Sequence, residues 1–321
     1  MVHKVAVLTS GGDAPGMNAC VRAVVRAGLK SGLEMYVIYE GYRGLVNGDI
    51  EKVDRYFVSD TINRGGTILH SARLKEFKEP LVQKKAVAVL KEYGIDGLVV
   101  IGGDGTYRGA QDLAKLGINT IGIPGTIDND VASTDYTIGY DTALNTICEC
   151  VDKIRDTTTS HQRCTFIEVM GNHCGDLAMN SGIAEGVEMI ISPDHPLEKQ
   201  YIFDKLIEFS AGKKRHSLVI VSEKMYDNIF EFVKEVQENT GIETRAQVLG
   251  HIQRGGSPSA FDRILATRFG VEAIKALLNG ETSVCIGIKC NKLVHTPIAD
   301  ALTMKRDTHD ELLEVIKLAN R

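Results

Sequence analysis

Two short apolar runs in this chain, Leu98–Ile101 and Ile121–Ile123, each lead at once into a loop of glycine and aspartate. The first loop is Gly102-Gly103-Asp104-Gly105-Thr106, and the second is Gly125-Thr126-Ile127-Asp128-Asn129-Asp130. Apolar runs this short, bounded by glycine and proline, read as buried strands of a parallel sheet. About one helix and one strand separate the loops. Both are therefore predicted to leave the carboxyl edge of neighbouring strands, where open α/β sheets bind ligands. Glycine allows the backbone to approach a polyanion, and free amides at a following helix start attract phosphate. A carboxylate among them repels bare phosphate but suits the magnesium that phosphate carries. One loop thus points to metal–nucleotide binding, and the other brings acids to whatever receives the phosphate. Asp128 or Asp130 alone would read as an Asx-turn or a helix cap. Two acidic loops at one sheet edge make that reading weak.

The nucleotide signal is of neither common kind. Gly103-x-Gly105 is followed by Gly109 rather than by a glycine three residues on, and no Gly-x-x-x-x-Gly-Lys-Ser/Thr run occurs. The dinucleotide fingerprint and the Walker loop are both absent. Strand and helix patterns alternate from Val5–Leu8 onward, with an apolar helical face at Val21, Val24, Val25 and Leu29 and another at Leu144, Ile147, Val151 and Ile154. This alternation predicts an α/β fold of two doubly wound, mostly parallel sheet domains, with a boundary near Ile138-Gly139. Arg64-Gly65-Gly66-Thr67 echoes Arg254-Gly255-Gly256-Ser257, a match too short to establish a repeat.

A length of 321 residues suits two lobes. The formal charge of −5 supplies no basic field for nucleic acid or an anionic membrane, so any polyanion must be held by local arginines. Seven cysteines without paired ligand spacing read as reduced and mostly buried, and the nine histidines form no metal cluster. The first apolar run is too short for a signal peptide and no stretch is long enough to span a bilayer, so a soluble cytoplasmic protein is expected.

Taken in order, Leu8–Asn18, Asn63–Thr67, Gly102–Thr106, Pro124–Asp130, Glu168–Gly171 and Val248–Pro258 resemble the bacterial ATP-dependent 6-phosphofructokinases, from residue 4 to beyond 290. The resemblance implies transfer of the γ-phosphate of ATP to the 1-hydroxyl of fructose 6-phosphate, a magnesium requirement and a homotetramer. It also implies control by ADP or GDP and by phosphoenolpyruvate. The nucleotide domain would comprise 1–138 and 252–303, and the sugar-phosphate domain 139–251 and 304–321. The ATP site would fall on Gly12, Arg73, Leu74, Gly103, Asp104, Gly105 and Thr106, with Asp104 as the partner of magnesium. Asp128 would accept the proton, with Thr126, Asp130 and Arg73 as further catalytic residues. Sugar-phosphate contacts would involve Thr126, Ile127 and Asp128, then Arg163, Met170, Gly171 and Asn172, then Glu223, Arg245, His251 and Arg254. Arg163 and Arg245 would serve a neighbouring subunit. Effector contacts would fall on Arg22, Arg26, Arg55 and Arg155, then on Gly186, Glu188, Lys214, Arg215 and His216, with Glu188 placed to take an effector's magnesium.

Two positions depart from the pattern. Gly212 stands where many relatives carry lysine, and Asn172 stands where an arginine usually follows Met-Gly. The charge missing at 172 is expected from Arg73 with magnesium, or from His173. Glycine at 105 and 125, where pyrophosphate-using relatives usually carry aspartate and lysine, favours ATP as donor. The residues alone leave room for a Gly-Gly-Asp-Gly kinase acting on NAD or a lipid, and for a nucleotide-sensing subunit without catalysis.

Overall fold

The structure, a computed structural model, describes residues 2–212, 216–306 and 310–319. In chain order the elements begin β1 (Lys4–Thr9), α1 (Met17–Lys30), β2 (Glu34–Ile38), α2 (Gly41–Asn47), β3 (Ile50–Val53) and α3 (Pro80–Glu92). Next come β4 (Gly97–Gly102), α4 (Asp104–Lys115), β5 (Asn119–Pro124), α5 (Tyr140–His161), β6 (Cys164–Val169) and α6 (Asp176–Glu185). The chain continues through β7 (Met189–Ile191), α7 (Lys199–Ala211), β8 (Ser217–Ser222), α8 (Ile229–Thr240), β9 (Thr244–Val248) and α9 (Ala260–Leu278). It closes with β10 (Val284–Lys289), β11 (Lys292–Pro297), α10 (Ile298–Ala301) and α11 (Asp310–Ala319). Two compact units result, Met1–Thr142 with Arg254–Arg306, and Ala143–Gln253 with Asp307–Arg321.

The first unit is built on a sheet ordered β11-β10-β5-β4-β1-β2-β3. Its five central strands are parallel, while β3 and β11 pair antiparallel at the two edges. Parallel central strands are covered on both faces. Accordingly, β4 is buried along its whole length and β1 and β5 at every residue but the first. Order reverses between β1 and β4, which places the loops after these two strands at a topological switch point.

Helix α1 buries Met17, Val21, Val24 and Val25, and α9 lies close against it at Gly270. A Cβ at 270 would stand 2.7 Å from Cβ of Ala23 and 2.9 Å from the carbonyl oxygen of Cys20. Gly270→Val is expected to lower unfolding stability by ~1–3 kcal/mol through overpacking, as read from urea denaturation.

Asp262, buried in the first turn of α9, organises the start of α5. Its carboxylate accepts hydrogen bonds from the N–H groups of Gly139 and Thr142, both at 2.8 Å, and from the Thr142 hydroxyl. Burial, only partly offset by these donors, raises its pKa to about 6. Folded Asp262 therefore holds its proton more tightly than an unfolded aspartate, whose pKa is ~3.9. Its contribution to stability is largest in acid and declines as pH rises from the unfolded value to about 6. Asp262→Asn should abolish that decline in a stability–pH profile. It should also cost ~1–3 kcal/mol at neutral pH, because an amide NH2 would then face backbone donors. A profile unchanged between pH 4 and 6 would contradict this assignment.

The second unit carries a parallel sheet ordered β7-β8-β6-β9. Its core gathers Phe166, Ile191, Ile202, Leu206, Val219, Val221 and Val236, with Phe232 stacked on Tyr226 at 3.8 Å between ring centroids. All seven cysteines are free, four of them buried (Cys20, Cys164, Cys174 and Cys285). No described helix is long and apolar enough to cross a membrane.

Candidate active site

In the first unit, three strand ends converge. Gly102 pairs with Pro124 at the last register position of β4 and β5, so the two acidic loops emerge side by side. Gly125 N–H donates to the Gly102 carbonyl at 3.1 Å, and Ser10 N–H, just after β1, donates to Ile101 at 2.9 Å. Thr106 on the first turn of α4 donates to the Ser10 carbonyl at 3.2 Å, which fixes the helix start against the loop after β1. A Cβ at Gly103 or Gly105 would meet nothing within 4 Å, so the space over this helix start is open to a ligand. Gly12 lies under the Arg254 guanidinium, which donates to the Asp13 carbonyl at 3.3 Å. The Ser71 hydroxyl donates to the Gly11 carbonyl and ties the exposed Arg73 and half-buried Leu74 to this edge.

Carboxylates gather above the helix start. Half-burial raises the pKa of Asp104, the nearby Asp130 charge adds to the rise, and Arg108 partly offsets it. Asp104, with the Asp130 charge near it and open helix amides beside it, offers oxygen donors to a hard cation. Among the described residues no group of three or more His, Cys, Asp or Glu could hold a metal. The set suits magnesium arriving with phosphates, which uses one or two carboxylates, rather than a caged structural ion.

Asp128 is 8% exposed. Its loop is held on both sides: Asp128 N–H donates to the Thr126 hydroxyl at 3.2 Å, and the Thr126 carbonyl accepts from the Thr137 hydroxyl at 2.6 Å. Asn129, left-handed at φ 53°, donates to the Asp135 carbonyl at 3.1 Å and accepts from Thr137 N–H at 2.9 Å. Ile127 is fully buried. A carboxylate on so constrained a loop is preorganised for proton transfer. The Arg64–Thr67 and Arg254–Ser257 echo also has a structural meaning. Gly65 meets the Gly256 backbone, Ser257 donates to the Asn63 carbonyl at 2.7 Å, and buried Asn18 donates to Arg64 and Gly65 while accepting from Ile68.

In the second unit the carboxyl edge of the sheet gathers Met170, Gly171 and Asn172 after β6, Glu223 after β8, and exposed His251 shortly after β9. Gly171 has φ 142°, and a Cβ there would come within 2.5 Å of the Cys174 carbonyl, so the turn requires glycine. Met170 N–H donates to the buried Gln253 side chain at 3.1 Å, and Gln253 donates in turn to the Gly250 carbonyl at 3.0 Å. Asn172 N–H donates to Glu223 at 2.8 Å. Burial, and then the Glu223 charge, raise the pKa of Glu168, the one acid of strand β6. Glu168, Glu223 and Lys224 help to line a cavity of about 490 Å³.

Arg163 and Arg245 are not part of that edge. Arg163 precedes β6 and Arg245 is the second residue of β9, so both lie at the amino edge of the same sheet. Six residues of β6 at ~3.3 Å each separate the two edges by roughly 20 Å. Both arginines turn toward Glu243, at 3.9 Å and 2.8 Å, and Arg163 Nε is buried without a partner among the described residues.

A phosphofructokinase family model matches residues 4–277. The chain belongs to the phosphofructokinase family. It is 52% identical over 320 residues to the ATP-dependent 6-phosphofructokinase 1 of Clostridium perfringens, covering 100% of both chains. It is 55% identical over 316 residues to the ATP-dependent 6-phosphofructokinase of Photobacterium profundum, covering 98% of each. The phosphofructokinase of Saccharomyces cerevisiae superposes with a TM-score of 0.87 at 36% identity, over 99% of this chain and 48% of the yeast chain.

The residues expected to bind an effector in this phosphofructokinase fall in both units. Arg22 and Arg26 share one face of α1, where burial and then the Arg26 charge lower the Arg22 pKa. Arg55 is exposed and lies over the Tyr56 ring at 5.6 Å. In the second unit Arg155 bonds the Glu185 carbonyl and, at 3.0 Å, the Glu185 carboxylate, while Gly186 is the left-handed cap of α6. Glu188 is 5% exposed, and one of its carboxylate oxygens accepts from Leu218 N–H at 2.8 Å. Half-buried His216 immediately precedes β8. Lys214 and Arg215 lie outside the described residues.

Proposed function

We propose that this chain is an ATP-dependent 6-phosphofructokinase of glycolysis, transferring the γ-phosphate of Mg-ATP to the 1-hydroxyl of fructose 6-phosphate. The observation that carries this reading is Asp128, a buried carboxylate on a pinned loop beside the Asp104–Asp130 pair. Asp128 takes the proton from the sugar hydroxyl as its oxygen bonds to phosphorus, and ADP leaves with the electron pair of the broken bond. Amides at the start of α4, with Gly103, Gly105 and Thr106, hold the nucleotide phosphates. Arg73 places its charge on the equatorial oxygens, where the transition state is most negative. Asp104 and Asp130 would hold magnesium, which would neutralise phosphate charge.

The sugar phosphate is held by Glu223, His251 and the Met170–Asn172 turn, with Arg254 supplying a guanidinium. Arg163 and Arg245, at the far edge of their sheet, serve the site of a neighbouring subunit. The enzyme works as a homotetramer in the cytoplasm. ADP or GDP and phosphoenolpyruvate act through Arg22, Arg26, Arg55, Arg155, Gly186 and Glu188, joined by Lys214, Arg215 and His216. Mixing an Asp128→Ser protein with an Arg245→Ala protein and reassociating the subunits should restore activity above that of either parent. No restoration in verified mixed oligomers would refute the shared site.

Donor choice tests the function itself. A side chain at 105 would occupy the open space over α4, and one at 125 would press within 3.0 Å of Ile101 and 3.2 Å of Met17. Glycine at 105 leaves that space free for a nucleotide, so turnover with ATP should exceed that with pyrophosphate. Comparable rates with the two donors would overturn the assignment.

A further inference from the structure

Asn172 and Lys224 are each among the first residues past a strand, Asn172 after β6 and Lys224 after β8, and β6 and β8 are neighbours in the second sheet. Both are left-handed without being glycine, at φ 57° and 67°. That conformation costs an ordinary side chain free energy that glycine does not lose. Three bonds tie the turn after β6 to the turn after β8. Glu223 N–H donates to the Val169 carbonyl at 2.7 Å, Asn172 N–H donates to the Glu223 carboxylate at 2.8 Å, and the Lys224 ammonium donates to the Asn172 Oδ1. The side-chain oxygen of Asn172 is thus held by a cation from the next strand.

An ammonium has three donors and no acceptor. It bonds only the oxygen end of an amide, so it selects the one orientation in which Nδ2 points away from Lys224. The same bond draws electron density toward Oδ1 and makes the Nδ2 hydrogens better donors. Glu223 fixes the backbone from which the amide projects.

We propose that Lys224 is a positioning residue that turns Asn172 into an oriented, polarised donor for an anionic, hydroxyl-rich substrate. The proposal rests on the sugar-phosphate reading above and deepens it. The neutral amide, aimed by a lysine from the next strand, contributes part of the anion recognition that a cation at 172 would provide directly. Lys224 acts through Asn172 rather than on the substrate. Its loss therefore weakens sugar-phosphate binding and leaves the nucleotide half of the reaction alone.

The test combines calorimetric titration of fructose 6-phosphate with steady-state kinetics on the full-length protein. A hydrogen bond involving a charged group predicts that Lys224→Met weakens fructose 6-phosphate binding about tenfold. KM for ATP should stay within about twofold and kcat within about threefold. Lys224→Arg, which keeps a charged donor, should restore affinity to within about threefold of the parent. In an Asn172→Ala background, Lys224→Met should add less than about twofold. Should Lys224→Met fail to fold, Lys224→Gln, a donor without charge, carries the comparison with an expected loss of about threefold. Unchanged affinity in Lys224→Met or Lys224→Gln would overturn the proposal, and so would a full loss that persists in the Asn172→Ala background. A parent that binds fructose 6-phosphate but does not phosphorylate it would refute the assigned activity and leave the binding comparison intact.

Discussion

Asp128→Ser lowers kcat by ~10²–10⁴-fold, the contribution typical of a positioned general base, and leaves KM for ATP and fructose 6-phosphate within about threefold. The expectation follows from how the loop is fixed. Thr126, Asn129 and Thr137 hold one another through hydrogen bonds to the loop's backbone, so its shape does not depend on the Asp128 carboxylate alone. Serine keeps a small polar group in a nearly buried position and removes only the proton acceptor. Because proton acceptance develops in the transition state, its loss falls on kcat rather than on substrate affinity. Steady-state kinetics at saturating substrates measure it, and a fall below tenfold with chemistry rate-limiting would show that another group takes the proton.

Gly105→Asp should separate folding from nucleotide use. Residue 105 is the second residue of α4, and its Cβ would project into empty space. An acid in a first helical turn complements the helix dipole, so thermal stability is expected to hold or rise slightly. The same carboxylate would stand beside the phosphates of ATP. Like-charge juxtaposition costs several kcal/mol, which corresponds to a fall of ~10²-fold or more in kcat/KM for ATP. Unchanged ATP kinetics in a folded variant would mean that the nucleotide phosphates do not approach this helix start.

What the sequence revealed and what it hid divide along a physical line. The runs Leu98–Ile101 and Ile121–Ile123 are read correctly as neighbouring parallel strands because burial on both faces leaves an uninterrupted apolar pattern. The edge strands β3 and β11 escape that reading. Ile50-Glu51-Lys52-Val53 is four residues long with two of them exposed, and Lys292–Pro297 is nowhere fully buried. Such edges lack the apolar signal because they are charged or short where solvent reaches them. Arg22 and Arg26 could be paired from their four-residue spacing on a helix.

Side-chain latches could not be read in that way. Lys224 to Asn172 spans 52 residues, Met170 to Gln253 spans 83, and Thr142 to Asp262 spans 120. Only the fold brings such pairs together. Glu168 did leave a trace, as a lone acid in the strand Cys164–Val169, and a carboxylate at the end of a buried run is a signal worth following.

Phosphorylation of fructose 6-phosphate from ATP is the activity expected of this phosphofructokinase family member. Its most direct test is ³¹P NMR of the purified protein with magnesium, ATP and fructose 6-phosphate. Fructose 1,6-bisphosphate and ADP are expected to accumulate in equal amounts, at a rate that collapses in Asp128→Ser. ATP left unconsumed by folded, oligomeric protein, or ADP released without the bisphosphate, would contradict it.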